Sequence, residues 1–391
     1  MSLANALLGV RVLDLSRILA GPWATQLLAD LGATVWKIER PESGDDTRQW
    51  GPPWLGAPAA KMSAYFVCCN RGKQSVTIDF AEPSGANLIR EWVRHADVLV
   101  ENFKVGGLAA YGLDYASLSA LNPKLIYCSI TGYGQDGPDA GLAGYDAAIQ
   151  ARGGLMSING ERDDLPGGGP QKLGVAVTDL MTGLYAANAI QAALIQRAQT
   201  GQGVHIDLAL LDVQVAMLAN QASNYLIGGW VPKRQGSAHP NIVPYQVVRA
   251  ADAPFMLAVG NDGQFQAFAR LAGHAEWFED PRFASNAARV QHRDVLINQI
   301  ESALCTKPAR HWLAACADAG VPATPIQNIA EVMVDPQVLH RGLVQETRRA
   351  NGTSFKSVQN PITRASTAQA APELGADTEA ALAWLQQQAQ I

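Results

Sequence analysis

The sequence predicts an α/β fold with a mainly parallel sheet, because two patterns alternate through residues 1–130. Short runs rich in β-branched residues are bounded by glycine or proline, as strands of such a sheet are. Longer stretches have the apolar spacing of helices, and the first of them has proline at its first helical position. At roughly 100–200 residues per domain, a chain of 391 residues is long enough for two or three domains.

The predicted strands of this region are short and apolar. They are expected at Val10–Leu15, Thr34–Glu39, Ser75–Asp79, Asp97–Glu101 and Lys124–Ile130. Between them, helices are expected at about Pro22–Leu31 and Pro83–His95. Strands and helices that follow one another in this way favour βαβ units.

The middle of the chain is predicted to contain a loop and then a long helix. Residues 160–174 combine glycine, proline and charged side chains, which indicates an exposed loop. The helix is expected from about Leu180 to Gln199, ending at a glycine-containing turn. A strand at Gly203–Leu208 and a helix to about Leu226 follow.

A second unit is predicted after Leu226, where glycines and prolines interrupt the pattern through Pro232–Pro244. It is expected to contain a strand near Phe255–Val259 and helices near Gly263–Ala272 and Val290–Leu304. The chain is predicted to finish with a helix at Asp377–Gln388.

Composition and charge narrow the class of protein. A net charge of −5 without a large basic cluster argues against nucleic acid as a partner. We find neither a signal-peptide pattern at the N-terminus nor an apolar run long enough to span a membrane. The five cysteines, at positions 68, 69, 128, 305 and 316, suggest neither a disulfide framework nor a metal site. We therefore expect a cytoplasmic protein with reduced thiols and no metal.

One glycine-rich turn matches a nucleotide-binding motif formally. Gly132–Gly137 fits G-x-G-x-x-G after a predicted strand, but Pro138 and Asp139 follow where the dinucleotide motif needs a helix to begin. A turn is therefore favoured, and a nicotinamide-dependent oxidoreductase stays as an alternative. No Walker A loop, H-E-x-x-H or G-x-S-x-G motif is present.

Asp179 is the candidate nucleophile that the residues themselves suggest. It stands between an apolar run and the start of the long helix, where the helix dipole and free N–H groups are expected to keep it ionised. A positioned carboxylate can act as a nucleophile. Spacing alone favours a plain N-cap, because aspartate is a preferred capping residue.

Ordered segments through nearly the whole chain resemble the family III CoA-transferases, the CaiB/BaiF family. The segments are Val12–Pro22, Leu28–Ala33, Lys37–Pro41, Gly44–Arg48, Asn70–Lys73, Glu101–Phe103, Ser129–Gly134, Gly144–Asp146, Gly153–Met156 and Thr178–Asp179. Gly174–Asp179, Gly236–His239 and Val243–Gln246 make the chain most similar to the succinyl-CoA:dicarboxylate (glutarate-type) branch.

This resemblance implies an acyl-CoA:carboxylate CoA-transferase in which Asp179 forms first an acyl anhydride and then a CoA thioester. Acyl-CoA would be a substrate, and no tightly bound cofactor is expected. The resemblance also implies an interlocked homodimer. Each chain would have a large Rossmann-like domain (1–225 with 325–391) and a smaller α/β domain (226–324).

The resemblance assigns CoA contacts position by position. They are Leu19, Ala20, Arg40, Asn102, Phe103, Lys104, Tyr145 and Asp146. Family members often carry arginine where this chain has Ala110, so Lys73 or Lys104 is expected to meet a CoA phosphate instead.

The acceptor's second carboxylate needs a cation, for which arginine is suited. Arg17 is the first candidate because it adjoins Leu19 and Ala20, with His239 as a possible partner. The other candidate arginines are Arg48, Arg71 and Arg152.

Two alternatives remain within the resemblance. The acyl-CoA racemases of this fold have a histidine where this chain has Tyr145, so two-base proton exchange lacks one base here. The second is a CoA-binding protein without transferase activity.

Overall fold

The computed structural model describes residues 3–56, 61–363 and 369–388. The elements up to Gly228 are, in chain order, β1 (Arg11–Asp14), α1 (Ala20–Asp30), β2 (Thr34–Glu39), β3 (Trp54–Leu55), β4 (Met62–Ser63), α2 (Ala64–Cys69), β5 (Gln74–Thr77), α3 (Pro83–Val93), β6 (Val98–Glu101), α4 (Tyr115–Leu121), β7 (Ile126–Thr131), α5 (Asp146–Arg152), α6 (Leu155–Ile158), α7 (Val177–Thr200), β8 (Val204–Ala209), α8 (Leu210–Ala216) and α9 (Ala219–Gly228). Short 3₁₀ helices lie at Asp46–Gln49 and Ala109–Tyr111.

The remaining elements follow between Tyr245 and Gln388. They are β9 (Tyr245–Arg249), β10 (Pro254–Ala258), α10 (Asp262–Leu271), α11 (Glu276–Glu279), α12 (Asn286–Gln291), α13 (Arg293–Leu304), α14 (Ala309–Asp318), β11 (Ala323–Pro325), α15 (Ile329–Val332), α16 (Pro336–His340), β12 (Val344–Arg348), β13 (Ser354–Val358) and α17 (Thr378–Gln388).

Six parallel strands form the central sheet of the first unit, in the order β5-β2-β1-β6-β7-β8. Alternate strand residues pack against α1 and α7 on one face and against α3, α4 and α17 on the other. The strand order reverses between β1 and β6, and ligands of open α/β sheets bind at such a switch point, beyond the carboxyl ends of the strands. The predicted α/β fold with a parallel sheet is confirmed.

Backbone proximity divides the chain into two units. The first comprises Met1–Leu155, Lys172–Gly229 and Pro336–Ile391, and the second Met156–Gln171 and Trp230–Asp335. The second unit has a three-stranded antiparallel sheet, β11-β10-β9, and a core rich in aromatic side chains such as Phe265 and Phe268.

The observed division differs from the predicted domain limits at three places, the smallest of which is that residues 226–229 lie in the first unit. Residues 156–171 lie in the second unit, where Gly236 N donates to Gly160 O at 3.1 Å. Residues 325–335 also lie there, because β11 pairs with β10 in its antiparallel sheet. Such long-range pairing gives no local signal in the sequence.

The C-terminal helix α17 covers the edge strand β5. The side chain of Asp377 accepts a hydrogen bond from Ser75 N at 2.8 Å, and the Thr378 hydroxyl accepts one from Thr77 N at 3.0 Å. These bonds satisfy strand groups that would otherwise be open to another chain. Trp384 packs on Trp36 of β2, with ring centroids 4.7 Å apart.

The glycine-rich turn does not open a helix. Residues 132–145 form turns and bends, and the next helix, α5, begins only at Asp146. The turn that the sequence favoured is therefore confirmed, and Gly132–Gly137 lacks the helix N-terminus that a dinucleotide site needs.

Candidate active site

A cavity of about 490 Å³ lies in the first unit at the switch point of the sheet. The segments after β1 and β6 form two of its walls, through Leu19–Ala20 and Asn102–Lys104. The carboxyl ends of adjacent parallel strands meet at one sheet edge, so these distant segments become neighbours. Asp179, Asp146, Tyr145 and Arg17 also line the cavity.

The helices α1 and α7, whose N-terminal ends line this cavity, pack closely against each other. A Cβ atom placed on Gly183 would lie 2.7 Å from Ala20 O and 2.9 Å from the Trp23 ring. Only glycine therefore lets α7 approach α1 this closely, and the N-terminal ends of both helices contribute to the same cavity. A glycine inside a long helix costs about 1 kcal/mol of stability relative to alanine, so its presence usually has a packing reason. Gly183 is therefore a residue from which the sequence alone could have indicated close helix packing.

Asp179 is the third residue of α7, and Ala176 is the N-cap. The interpretation of Asp179 as an N-cap is therefore wrong. Burial raises the pKa of Asp179 to about 7, and the negative charge of Asp146 adds to the rise. The helix N-terminus was expected to keep Asp179 ionised near neutral pH, but burial and the Asp146 charge instead place its pKa close to neutrality.

Asp146 performs the capping that Asp179 was expected to perform. Its Oδ2 accepts hydrogen bonds from Thr178 N at 2.9 Å and Asp179 N at 3.3 Å. Gln150 Nε2 donates to the other oxygen, Oδ1, at 2.6 Å. A carboxylate from α5 thus satisfies the first turn of α7 and leaves the Asp179 side chain available to the cavity.

A contact between two glycines shapes another wall. A Cβ on Gly132 would lie 2.6 Å from the Gly144 Cα, and a Cβ on Gly144 would lie 2.2 Å from the Gly132 Cα. Only glycine at both positions lets the chain that carries Tyr145 and Asp146 lie against the end of β7.

Arg17 is held at the cavity by several groups. Its Nη1 lies 2.9 Å from the Asp46 carboxylate, and its guanidinium lies over the Phe103 ring, 5.2 Å from the centroid. Its backbone N donates to Asn102 Oδ1 at 2.8 Å, while Asn102 Nδ2 donates to Arg17 O at 2.7 Å. The loops after β1 and β6 are thereby tied together.

The residue after Arg17 has an unusual backbone conformation. Ile18 has φ of 72°, a region that β-branched residues rarely adopt. Asp45 accepts from Ile18 N at 3.3 Å, and Lys37 Nζ donates to Ser16 O at 3.0 Å. Strain of this kind persists only where the surroundings enforce it, so the loop before Leu19 is firmly held.

Most of the predicted CoA contacts line this cavity. Those that do are Leu19, Ala20, Asn102, Phe103, Lys104, Tyr145 and Asp146. Arg40 lies exposed just after β2 and borders a small neighbouring recess with Arg17 and Phe103. It is placed where an extended ligand leaving the cavity could reach it.

Lys73 is a correction to the sequence prediction. Its side chain is fully buried, and Nζ donates to Asp14 Oδ2, Pro22 O and Asn70 Oδ1, each at 2.9 Å. An ammonium group has three protons to donate, and all three are used. Lys73 therefore has no donor left for a CoA phosphate, and Lys104, exposed at the cavity, is the candidate that remains.

The other candidate arginines already have partners. Arg48 forms a bidentate ion pair with Glu39, and Arg71 forms one with Asp30. Arg152 pairs with Asp139 at the surface. None of the three lines the cavity formed by the described residues, whereas Arg17 does.

His239 belongs to the second unit. Its Nδ1 accepts a hydrogen bond from Asn241 N at 3.1 Å. Burial lowers the pKa of His239, as does the positive charge of Arg293. The ring is therefore held neutral around pH 7 and could donate a hydrogen bond through Nε2.

Tyr65 is a site neighbour that sequence reasoning missed. Burial raises the pKa of its phenol, and the charge of Asp179 is the largest electrostatic contribution to the rise. Tyr65 lies in α2, and no pattern in the sequence pointed from α2 to Asp179.

In the described part of the chain, no cluster of His, Cys, Asp and Glu could hold a metal ion. Nor does any helix there have the length and apolar character needed to cross a bilayer.

Comparisons with known proteins agree on one family. A family model described as CoA-transferase family III matches residues 7–378. Succinate–glutarate CoA-transferase of Agrobacterium fabrum is 54% identical over 357 residues, covering 90% of this chain and 88% of that protein. Human succinyl-CoA:glutarate CoA-transferase is 45% identical over 338 residues, covering 86% of this chain and 75% of the human protein.

A solved structure agrees in fold. The crystal structure of a CaiB/BaiF family protein from Brucella suis matches with a TM-score of 0.85 at 48% identity. The match covers 98% of this chain and 100% of that chain.

Proposed function

Because the chain belongs to CoA-transferase family III, we propose that it moves CoA from succinyl-CoA to a short dicarboxylate, with Asp179 as the carrier. The enzyme class follows from the family, and the substrates are those named for the Agrobacterium and human relatives. The observation that carries the residue assignment is a half-buried carboxyl group with a raised pKa, Asp179, in the cavity at the sheet's switch point.

The reaction begins when the Asp179 carboxylate attacks the thioester carbonyl. The C–S bond breaks, and CoA leaves as a thiolate with the bonding electrons. An anhydride now joins Asp179 to the acyl group. The thiolate then attacks the Asp179 carbonyl of this anhydride and expels the free carboxylate, leaving an aspartyl-CoA thioester.

The acceptor reverses these two steps. Its carboxylate attacks the aspartyl thioester, so that thiolate leaves and a new anhydride forms. The thiolate then attacks the acceptor's acyl carbon and expels the Asp179 carboxylate. No proton is gained or lost overall, and the energy of the thioester is kept throughout, so ATP is not required.

The surroundings of Asp179 support this chemistry. Partial burial removes water that would hydrolyse an anhydride, and it raises the energy of the ionised nucleophile. Asp146 holds the first turn of α7 in place without occupying the Asp179 side chain. The uncapped N-terminus of α1, at Leu19–Ala20, offers N–H groups to a developing oxyanion.

We assign the charged ends of the substrates to different residues. Lys104 and Arg40 would bind CoA phosphates. Arg17 would release the Asp46 carboxylate and bind the acceptor's distal carboxylate in its place. His239 remains a proposed substrate-binding residue.

Trapping of the acyl-enzyme tests the proposal. The protein is incubated with succinyl-CoA, treated with hydroxylamine or borohydride, digested and examined by mass spectrometry. We expect a modification confined to the peptide that contains Asp179. Failure to find one with succinyl-, acetyl- or longer acyl-CoA, despite measurable CoA binding, would favour the binding-only or racemase-like alternative.

The pH dependence of activity should report the ionisation of Asp179. Its pKa of about 7 means that kcat/KM falls as the pH drops below 7, approaching about tenfold per pH unit. Asp146→Asn removes a like charge but keeps an oxygen for the α7 N–H groups, so the midpoint should move to lower pH. The move should be partial, since burial is the larger cause. An unchanged midpoint in this variant would contradict the assignment.

We also propose that two copies form an interlocked homodimer and that the enzyme acts in the cytoplasm. Exposed apolar side chains on α9, Leu226 and Ile227, support a protein partner for this helix. Light scattering on the purified protein should give twice the chain's mass of 41.6 kDa. A monomer across the micromolar range would contradict the dimer.

A further inference from the structure

Glu101 is a buried carboxyl group at the end of β6 that the proposed chemistry does not use. Its Oε2 accepts a hydrogen bond from Phe103 N at 2.8 Å. Ser129, opposite Glu101 on β7, hydrogen-bonds the same carboxyl group through its hydroxyl. Ser129 Oγ in turn lies 2.9 Å from His205 Nε2 on β8. Three adjacent strands thus contribute one residue each to a hydrogen-bond network.

The donors and acceptors of this hydrogen-bond network can be assigned. A serine hydroxyl has one proton, so Ser129 donates to Glu101 and accepts from the Nε2–H of His205. Burial lowers the pKa of His205, which keeps the ring neutral. The ring stacks on Tyr115, with centroids 4.7 Å apart. His205 thus fixes Glu101 through Ser129, and the His205 ring is itself fixed by its stacking on Tyr115.

Glu101 is joined through the backbone to one wall of the cavity. Asn102, Phe103 and Lys104 follow it directly, and all three line the cavity. Asn102 ties this segment to the Arg17 backbone, and the Phe103 ring contacts the Arg17 guanidinium. The bond from Phe103 N to Glu101 therefore fixes the turn on which these contacts depend.

We propose that Glu101 is a positioning residue for the acyl-CoA substrate, fixing the Asn102–Lys104 wall while Ser129 and His205 hold Glu101 itself. The inference rests on the proposed function in one respect, namely that the CoA moiety occupies this cavity. It adds a residue that would act on CoA affinity and not on the chemical step.

The charges around Glu101 make this role dependent on pH. Burial raises its pKa to about 7, and the Asp207 carboxylate adds to the rise. The other titratable groups that interact with it are Tyr127 and Cys128 on β7, with His205 beyond Ser129. Within the described ranges, no basic side chain forms an ion pair with Glu101.

The ionised form of Glu101 offers an oxygen to each of its two donors, Phe103 N–H and the Ser129 hydroxyl. In the protonated form one oxygen carries its own proton, which competes with one of those donors. The wall is therefore best held above pH 7. CoA affinity should fall as the pH drops below that value.

Calorimetric titration with CoA at pH 6 and pH 8 tests the inference directly. Glu101→Gln offers a single acceptor oxygen, so we expect the Kd for CoA at pH 8 to rise about tenfold and the loss of affinity below pH 7 to disappear. The KM for succinyl-CoA should rise in parallel, while kcat stays within about threefold.

A second variant keeps the test decisive if Glu101→Gln folds poorly. Asp207→Asn removes the negative charge that raises the pKa of Glu101. It should bind CoA like wild type at pH 8 and more tightly than wild type at pH 6. A wild-type pH dependence of Kd in both variants would overturn the inference, as would a loss of kcat with Kd unchanged in Glu101→Gln.

Failure of the proposed function would look different. In that case the wild-type protein would form no adduct at Asp179, a result that does not depend on Glu101. The Kd measurements for CoA need no turnover, so they decide the role of Glu101 on their own.

Discussion

Asp179→Asn is expected to lower CoA transfer by at least about a thousandfold, because an amide cannot form the acyl anhydride. The substitution keeps size and shape, so CoA binding should survive. Asp212→Asn is the matched control, since Asp212 is likewise the third residue of its helix, α8, but is exposed. It should leave both kcat and KM near their wild-type values.

The same Asp179→Asn variant should be more stable than wild type at alkaline pH. The folded-state pKa of about 7 lies above the ordinary aspartate value of 3.8, so the protonated form is favoured by folding. Stability from this group is present below pH 3.8 and is lost as the pH rises through 7. The variant should therefore gain up to about 4 kcal/mol at pH 8, and less at pH 5. Urea unfolding at the two pH values measures the difference. Inactivity together with lower stability at pH 8 would indicate a misfolded variant and not a lost nucleophile.

Lys73→Met is expected to destabilise the protein by about 3–5 kcal/mol, because it leaves the Asp14 carboxylate buried without its cation. Lys104→Met is the matched comparison on the cavity wall. It should leave the melting temperature almost unchanged and raise the KM for succinyl-CoA about tenfold. Thermal unfolding and steady-state kinetics on both variants separate the two roles.

The reverse pattern would restore the sequence-based assignment of Lys73. A stable Lys73→Met protein with a raised KM for succinyl-CoA would mean that its ammonium reaches the substrate. Lys104→Met would then be expected to have wild-type kinetics.

The parallel sheet could be predicted because its strands are buried on both faces. Such strands are nearly continuous apolar runs, and β2 was predicted with its observed limits, Thr34–Glu39. The segments after β1 and β6 were placed near one site by resemblance, and the strand order supplies the physical reason.

The electrostatics of the site could not be predicted, because they depend on tertiary neighbours. The helix α5 is short and follows a glycine-rich turn, so nothing local indicated that Asp146 would reach the N-terminus of α7. Without that neighbour and the degree of burial, the pKa of Asp179 was expected to stay low. Lys73 stands in a basic segment, and only the fold shows that Asp14 faces its ammonium group.

The transfer of heavy oxygen from the acceptor to Asp179 tests the central claim most directly. The unmodified enzyme is turned over with succinyl-CoA and glutarate labelled with ¹⁸O in both carboxylates, and the Asp179 peptide is weighed by mass spectrometry. The mechanism predicts that ¹⁸O enters Asp179, because the bridging oxygen of the second anhydride comes from the acceptor and stays on the aspartate. Succinate released in later turnovers should then carry the label. Glutaryl-CoA formed without ¹⁸O in Asp179 would contradict the account, since the acyl group would have moved without an anhydride at that residue.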